Sequence, residues 1–161
     1  MNVRFEGNTK TGKDEWLTPP ELINSLGEFD LDPYSPINKP WDTAKKHYTV
    51  EDNGLLMPWH GRVFCNPPYD TNTLTYFLEK CAFHKNAIAI IYARTETKVW
   101  QNTIFKHAVG CLFVYGRLKF YHVDGTIAKN VAGAPSVLLA FDKCNAETLN
   151  SCNIKGHYVN F

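Results

Sequence analysis

Residues 61–69 read GRVFCNPPY, a short apolar run that ends in an amide, two prolines and an aromatic ring. The apolar run predicts a strand. The prolines make the loop after it stiff and extended, because proline has a fixed φ and no N–H. The side chain of Asn66 and the carbonyl of Pro67 offer two acceptors, which suits an amino group with two hydrogens to donate. Tyr69 supplies a flat face on which a base could stack, so this stretch predicts a holder for an exocyclic amine on a planar ring.

Strands and helices are predicted to alternate on both sides of this stretch. Residues 29–32 predict a strand that Pro33 ends, and the continuous apolar run at residues 87–92 is typical of a parallel sheet covered on both faces. This alternation predicts an α/β sandwich with a largely parallel sheet. In open sheets of this kind, ligands bind at the carboxyl ends of the strands. The loop after the first strand and the proline loop are therefore expected to open on one side of the sheet.

Capping residues and apolar periodicity predict the other elements. Thr18 is expected to cap the first helix, with Glu21 closing a capping box and Gly27 ending the helix. Residues 1–13 are polar and without a period, so they are expected to form a flexible arm before a single domain at residues 14–161. Further helices are predicted near residues 41–47, at 71–85 and at 97–107, and further strands at 111–115 and 135–141.

The composition argues against several classes of protein. The net charge of +1 is mild evidence against tight nucleic-acid binding, although basic patches lie at residues 10–13, 45–46 and 117–119. The five cysteines are an odd number without a Cys-x-x-Cys pair, which favours reduced thiols in the cytoplasm over a zinc site or a disulfide framework. The six histidines lack the spacing of metal ligands, so no metal is expected. The sequence reads without a signal peptide or an apolar run of membrane length, so no membrane contact is expected.

The proline loop resembles motif IV of the amino-methyltransferases that use S-adenosylmethionine, above all the DNA adenine-N6 methyltransferases. The stretches DEWLTPPEL at residues 14–22, FDLDP at 29–33 and EDNGL at 51–55, followed by the loop itself, have the motif order of the phage-type Dam family. The resemblance covers about residues 14–142. It implies a Rossmann-like S-adenosylmethionine methyltransferase sandwich, a single catalytic domain whose sheet is mostly parallel with a reversed last strand.

The resemblance also implies roles for individual residues. Catalytic roles are implied for Asn66, Pro67, Pro68 and Tyr69. Contacts with the cofactor S-adenosylmethionine are implied for Trp16, Thr18, Pro19, Asp32, Pro33, Asp52 and Leu55. Contacts with nucleic acid are implied for Arg94, Arg117 and Lys119.

Most of these roles have a plainer structural alternative. Asp32 could pair with the ammonium of the cofactor, or it could be a turn aspartate before proline. Residues 34–38 lack the glycines of the family's cofactor loop, which rules out a phosphate cradle, but S-adenosylmethionine carries no phosphate. Asp52 could bind the cofactor's adenine or cap an Asn-Gly turn. Trp16 and Thr18 could equally be a core tryptophan and a helix cap.

The implied reaction is methyl transfer from S-adenosylmethionine to N6 of an adenine that is flipped out of double-stranded DNA. The same loop would accept an RNA adenine or a protein glutamine amide, because each presents an amino group on a planar group. A non-enzymatic binding module of the same fold is the third alternative. The chain is short for a sequence-specific enzyme, so residues 70–76 and 117–134 are the candidates for target recognition, and a homodimer could supply further contacts. The expected location is the cytoplasm of a bacterial or phage-infected cell.

Overall fold

The computed structural model describes residues 15–161, so the arm predicted at residues 1–13 lies outside the described part of the chain. The strands are β1 (Leu31–Asp32), β2 (Lys46–His47), β3 (Val63–Cys65), β4 (Ala87–Tyr92), β5 (Gly110–Val114), β6 (Ser136–Ala140) and β7 (Gly156–Asn160). The helices are α1 (Pro20–Leu26), α2 (Thr71–His84), α3 (Phe105–His107), which continues a π-helical turn at Trp100–Ile104, and α4 (Lys143–Ser151). Among the helices of residues 15–161, none is long and apolar enough to cross a membrane.

The seven strands form one mixed sheet in the order β2-β1-β3-β4-β6-β5-β7. Strands β1 to β4 pair in parallel, whereas β6 is antiparallel to both β4 and β5, and β7 is antiparallel to β5. The predicted α/β architecture is confirmed, but half of the neighbouring pairs are antiparallel, so the expected mostly parallel sheet is not found. Two strands are reversed instead of one. β6 can follow β5 without a crossover helix, because antiparallel neighbours need only a loop between them.

Helices cover both faces of the sheet, and alternate residues of the strands point to opposite faces. On one face, Ala89 and Ile91 of β4 belong to a buried cluster with α2 and with Trp100 of the π-helical turn. On the other face, Ile88 and Ile90 belong to a cluster with α1 and α4. β4 is therefore buried on both sides, as its continuous apolar sequence predicts.

Helix α1 begins differently from the prediction. Pro19 occupies its N-cap position and no side chain caps the helix, so the cap by Thr18 and the capping box with Glu21 are wrong. Thr18 lies one residue before the N-cap, and its hydroxyl is instead hydrogen-bonded to Asn66 in the proline loop. Gly27 ends α1 with a φ of 86°, a left-handed conformation that favours glycine.

The other element predictions have mixed outcomes. The helix predicted near residues 41–47 is wrong, because residues 46–47 form β2 beside β1. The helix predicted at 97–107 is confirmed, because residues 98–107 are helical, with the π-helical turn at Trp100–Ile104 inside that range. α4 and β7 were not predicted, because α4 is short and polar and β7 is largely exposed, so neither has a strong apolar pattern. Confirmed within a few residues are the strands at 29–32, 63–65, 87–92, 111–115 and 135–141 and the helix at 71–85.

Candidate active site

The proline loop leaves the carboxyl end of β3 and places Asn66 against the residues that precede α1. Nδ2 of Asn66 donates a hydrogen bond to Oγ1 of Thr18 at 3.2 Å. Thr18 is 2% exposed and Pro67 is buried, so this corner is enclosed as well as stiff. Because the nitrogen end of the amide is bound to Thr18, its oxygen end is left to accept a hydrogen bond from a ligand.

A cleft of about 320 Å³ opens beside Asn66. Residues 128–133 form part of its wall. Its volume and its aromatic lining, which also includes the polar residues Asn66, His122, Lys129 and Asn130, are typical of sites for small organic ligands. The side chains that define its chemistry are the amide of Asn66 and the rings of Trp16, Tyr69, Tyr92, Phe120 and His122.

Two pairs of aromatic rings border this cleft. Tyr69 and Tyr92 stack face to face, with ring centroids 4.3 Å apart and an interplanar angle of 5°. Trp16 and His122 form a tilted pair, with centroids 4.8 Å apart and an angle of 39°. Tyr69 is 38% exposed as a residue, but its phenol group is enclosed, and burial raises the pKa of Tyr69 well above its usual range. Both pairs therefore present flat aromatic surfaces on which a planar ligand can stack, and the phenol of Tyr69 is neutral.

Residues 115–135, which we call the β5–β6 segment, contribute the remaining wall of the cleft. Tyr121 exchanges two backbone hydrogen bonds with Leu17, at 2.8 and 3.0 Å. Within the segment, Nη1 of Arg117 donates to the carbonyl of Ala132 at 3.0 Å. Hydrogen bonds thus connect the segment internally and to the residues that precede α1, and they hold this wall of the cleft in place.

The loop after β1 carries a second group of predicted residues. Asp32 is 3% exposed, and its carboxylate accepts hydrogen bonds from the N–H of Tyr34 at 3.0 Å and from the hydroxyl of Thr43. Burial raises the pKa of Asp32 to about 6. Within residues 15–161, no lysine, arginine or histidine forms an ion pair with this carboxylate. A buried carboxylate without a cationic partner suits the ammonium group of a ligand.

The loop after β2 meets the loop after β1 at Gly54. A Cβ atom on Gly54 would lie 1.9 Å from the carbonyl oxygen of Pro33, so only glycine fits at this contact. Next to it, Oδ2 of Asp52 accepts hydrogen bonds from the N–H and the hydroxyl of Thr49, at 2.8 and 3.1 Å. Leu55 packs half-buried against the core. Two of the stretches predicted to contact the cofactor therefore lie side by side.

Lys80 of α2 holds the loop after β2 in place. Its Nζ donates to the carbonyls of Gly54, Leu55 and Met57, at 3.2, 2.7 and 2.6 Å. The same ammonium lies 5.1 Å from the ring centre of Trp59. Burial lowers the pKa of Lys80. Three carbonyls around one ammonium fix the backbone of this loop, so Lys80 acts on the site from a distance.

Sequence reasoning missed several residues of the site. Tyr92 ends the strongly apolar strand β4, and ligands are expected at the carboxyl ends of strands, so this residue could have been identified. Phe120 and His122 lie in a segment without periodicity. Thr43 and Lys80 act through partners that are distant in the sequence, at Asp32 and in the loop after β2. For these four residues the sequence carries no local signal.

Two of the three basic residues predicted to contact nucleic acid touch the lining of the cleft. The guanidinium carbon of Arg94 lies 5.9 Å from the ring centre of Tyr92, and Arg94 is exposed. Arg117 is exposed and, as described above, is bonded to the β5–β6 segment. Lys119 is exposed on the same segment. All three cations are therefore carried by elements that form the cleft.

Neither a metal ion nor a reactive thiol is indicated at this site. Among residues 15–161, no group of three or more histidine, cysteine or acidic side chains is placed to hold a metal ion. Cys65 precedes Asn66 directly, but it is buried, and burial raises the pKa of its thiol well above its usual range. The thiol is therefore protonated and a poor nucleophile.

Comparison with known proteins gives one match. A family model described as DNA N-6-adenine-methyltransferase (Dam) matches residues 7–157. This range includes the proline loop, the loops after β1 and β2 and the β5–β6 segment. No curated protein and no solved structure matches the chain.

Proposed function

The chain belongs to the DNA N-6-adenine-methyltransferase (Dam) family, and from this premise we propose that it transfers a methyl group from S-adenosylmethionine to N6 of an adenine flipped out of double-stranded DNA. The observation that carries the proposal is the cleft beside Asn66, where stacked aromatic rings and an amide oxygen without a hydrogen-bond partner among residues 15–161 line one cavity. DNA adenine methylation follows from the family. The donor and the flipped base are our extension of it.

The adenine that accepts the methyl group must leave the duplex, because its amine is engaged in base pairing there. Unstacking and unpairing cost a few kcal/mol. Stacking on one aromatic side chain is worth about 1–3 kcal/mol per base, so the stack of Tyr69 on Tyr92 can offset much of this cost. The aromatic lining also favours a nucleobase over a glutamine side chain, which has no ring to stack.

The chemistry of the amine explains the proline loop. In a free adenine the N6 lone pair is delocalised into the ring, so the nitrogen is a poor nucleophile. Hydrogen bonds from the two N6 hydrogens to Oδ1 of Asn66 and to the carbonyl of Pro67 would favour a pyramidal nitrogen. The same two oxygens would stabilise the positive charge that develops on N6. Pro68 keeps the loop stiff, so these acceptors are placed before the base arrives.

The residues after β1 and β2 fit the proposed cofactor. S-adenosylmethionine, when bound, supplies a methyl group already activated by a sulfonium. We propose that the carboxylate of Asp32 pairs with the ammonium of S-adenosylmethionine. This carboxylate is buried, and among the described residues no cation forms an ion pair with it. The further cofactor contacts that we propose are Trp16, Thr18, Pro19, Pro33, Asp52 and Leu55.

The DNA contacts are proposed from the exposure and position of three cations. Arg94, Arg117 and Lys119 are exposed on elements that form the cleft, where they can reach the phosphates that flank a flipped base. A homodimer, the residues 70–76 as part of target recognition and a cytoplasmic location stay predictions from the sequence.

The proposal is tested by methyl transfer from tritiated S-adenosylmethionine to unmethylated natural DNA. We expect label in DNA, and we expect nuclease digestion and mass spectrometry to find it as N6-methyladenine. Asn66→Ala should lower turnover at least a hundredfold with cofactor affinity unchanged, because it removes one acceptor of the amine. Asn150→Ala, at an exposed asparagine of α4, is the matched control.

Other outcomes would contradict the proposal in distinguishable ways. Label only in RNA or only in protein would change the acceptor. Cofactor binding without transfer to any acceptor would indicate a binding module. Unchanged turnover of Asn66→Ala would remove the proline loop from the reaction.

A further inference from the structure

Thr18 makes one side-chain contact that its position does not lead one to expect. It stands directly before Pro19 and Pro20 at the start of α1, where a threonine usually caps a helix. No side chain caps α1, and Oγ1 of Thr18 instead accepts the hydrogen bond from Nδ2 of Asn66 at 3.2 Å. The residue is 2% exposed, so water does not compete for this contact.

The two ends of the Asn66 amide have nearly the same shape and opposite chemistry. Its oxygen accepts hydrogen bonds and its nitrogen donates them. An amino group of the substrate can only donate through its hydrogens. If the amide turned over, two donors would face each other and the acceptor needed at the amine would be lost. The reaction therefore needs something that selects one orientation of the amide.

We propose that Thr18 is a positioning residue, whose hydroxyl holds the nitrogen of Asn66 and so keeps the amide oxygen directed at the substrate amine. This inference rests on the function proposed above. It gives Thr18 a role in turnover in addition to the cofactor contact proposed above.

The surroundings of Thr18 suit that role. Its preceding residue, Leu17, is 2% exposed and exchanges two backbone hydrogen bonds with Tyr121. The two prolines that follow restrict the backbone on the other side. The hydroxyl is therefore fixed relative both to the proline loop and to the β5–β6 segment, and a fixed acceptor can hold the amide in one orientation.

Two variants separate positioning from cofactor binding. Thr18→Val keeps the shape of the side chain and removes the hydroxyl, whereas Thr18→Ser keeps the hydroxyl. We expect Thr18→Val to lower kcat by about tenfold to a hundredfold, since a misdirected catalytic group costs this much. Calorimetry measures the dissociation constant of S-adenosylmethionine, so that kcat is compared at saturating cofactor; there the loss in Thr18→Val should persist, and Thr18→Ser should recover most of kcat.

A readout without turnover uses the side-chain amide of Asn66. Its NH2 resonances in a ¹⁵N-correlation spectrum are identified by their loss in Asn66→Ala. Their hydrogen exchange should be faster in Thr18→Val than in the wild type and in Thr18→Ser, because only the valine removes the acceptor. If Thr18→Val does not fold, Thr18→Ala removes the same hydroxyl with a smaller side chain and takes its place.

The inference is overturned by unchanged kcat and exchange in Thr18→Val, by a Thr18→Ser variant as slow as Thr18→Val, or by a loss confined to cofactor affinity. The last result would leave Thr18 as a cofactor contact alone. Failure of the proposed function is seen separately, because it would abolish DNA methylation by the wild type itself.

Discussion

Asn66 and Asp32 are polar side chains that retain unused hydrogen-bonding capacity at the carboxyl ends of β3 and β1. Asn66 gives its nitrogen to Thr18 and keeps its oxygen, whereas Asp32 accepts two hydrogen bonds and still carries free lone pairs. The first is a neutral acceptor that suits an amine, and the second is a charged one that suits an ammonium. At the residue scale, we propose that this difference separates the half of the site that holds the methyl acceptor, at Asn66, from the half that holds the methyl donor, at Asp32; we call them the acceptor half and the donor half.

Tyr69 tests the acceptor half. We expect Tyr69→Ala to lower kcat/KM for DNA by about tenfold to a hundredfold, because stacking on one base is worth about 1–3 kcal/mol. Tyr69→Phe should retain most of the activity, since its phenol is neutral and the ring does the stacking. Steady-state kinetics on unmethylated DNA measures both variants. Equal losses in the two variants would mean that the hydroxyl, and not the ring, is required.

Asp32→Asn tests the donor half and should also stabilise the fold. The pKa of Asp32 is about 6 in the folded protein against an ordinary value of 3.8, so the folded state holds this proton more tightly. That contribution to stability is present below about pH 4 and is lost as the pH rises through about 6. At pH 7.5 the carboxylate is a buried charge, and we expect Asp32→Asn to raise the free energy of unfolding by about 1–3 kcal/mol.

Urea denaturation at pH 4.5 and at pH 7.5 measures this effect, which should be much smaller at the lower pH. Calorimetry should find that Asp32→Asn binds S-adenosylmethionine at least tenfold more weakly, because the charge that pairs with the ammonium is gone. In the wild type, cofactor affinity should fall as the pH drops below about 6. A variant that binds the cofactor normally would remove Asp32 from the proposed site.

At the element scale, the loops after β1 and β2 are built around a single close contact. Gly54 lies so near the carbonyl of Pro33 that no side chain fits between them, and Lys80 fixes the same loop from α2. The sequence identified Pro33 and the Asn-Gly turn, but it could not predict that they touch. Lys80 is a lysine on an amphipathic helix, and nothing in its sequence neighbourhood distinguishes it from a solvated one.

Gly54→Ala should therefore destabilise the protein by about 3 kcal/mol or more, since a Cβ atom there would overlap backbone atoms. The matched control is Gly133→Ala, because nothing lies within 4 Å of a Cβ at that position. Thermal unfolding should lower Tm strongly for the first variant and leave it nearly unchanged for the second. Similar values of Tm for Gly54→Ala and the wild type would mean that the loop is not packed as described.

At the scale of the whole molecule, the strands with strong apolar runs were predictable and the edge of the sheet was not. β4 and β6 are buried on both faces, so burial dictates their sequences directly. β7 is largely exposed and α4 is polar, so their positions depend on tertiary contacts that leave little trace in the sequence. For the same reason the proline loop was identified from its own residues, whereas residues 117–134 were predicted only as a candidate for target recognition and the aromatic side chains Phe120 and His122 were missed.

The charge of the whole chain is nearly balanced, so DNA affinity should depend on a few local cations. We expect Lys119→Gln to weaken DNA binding and to reduce the slope of log K against log salt by about 1. Lys45→Gln is the control. The ammonium of Lys45 is paired with Glu28 and Asp30, at 3.4 and 3.3 Å. These three residues precede β1 and β2, so they lie away from the carboxyl ends of the strands. Fluorescence anisotropy at several salt concentrations measures the slopes. Equal slopes for the two variants would remove Lys119 from the DNA contacts.

The reversed direction of β6 has a consequence for how such an enzyme can change its target. The β5–β6 segment leaves the sheet at the carboxyl end of β5 and returns where β6 pairs with the end of β4, with Ser136 opposite Tyr92. Both of its junctions therefore lie on one rim, so a longer or shorter segment leaves the strands in place as long as the pairing of Tyr121 with Leu17 is kept. Preference for a DNA sequence would then change through this one segment, while the proline loop that we propose for the methylation is inherited unchanged.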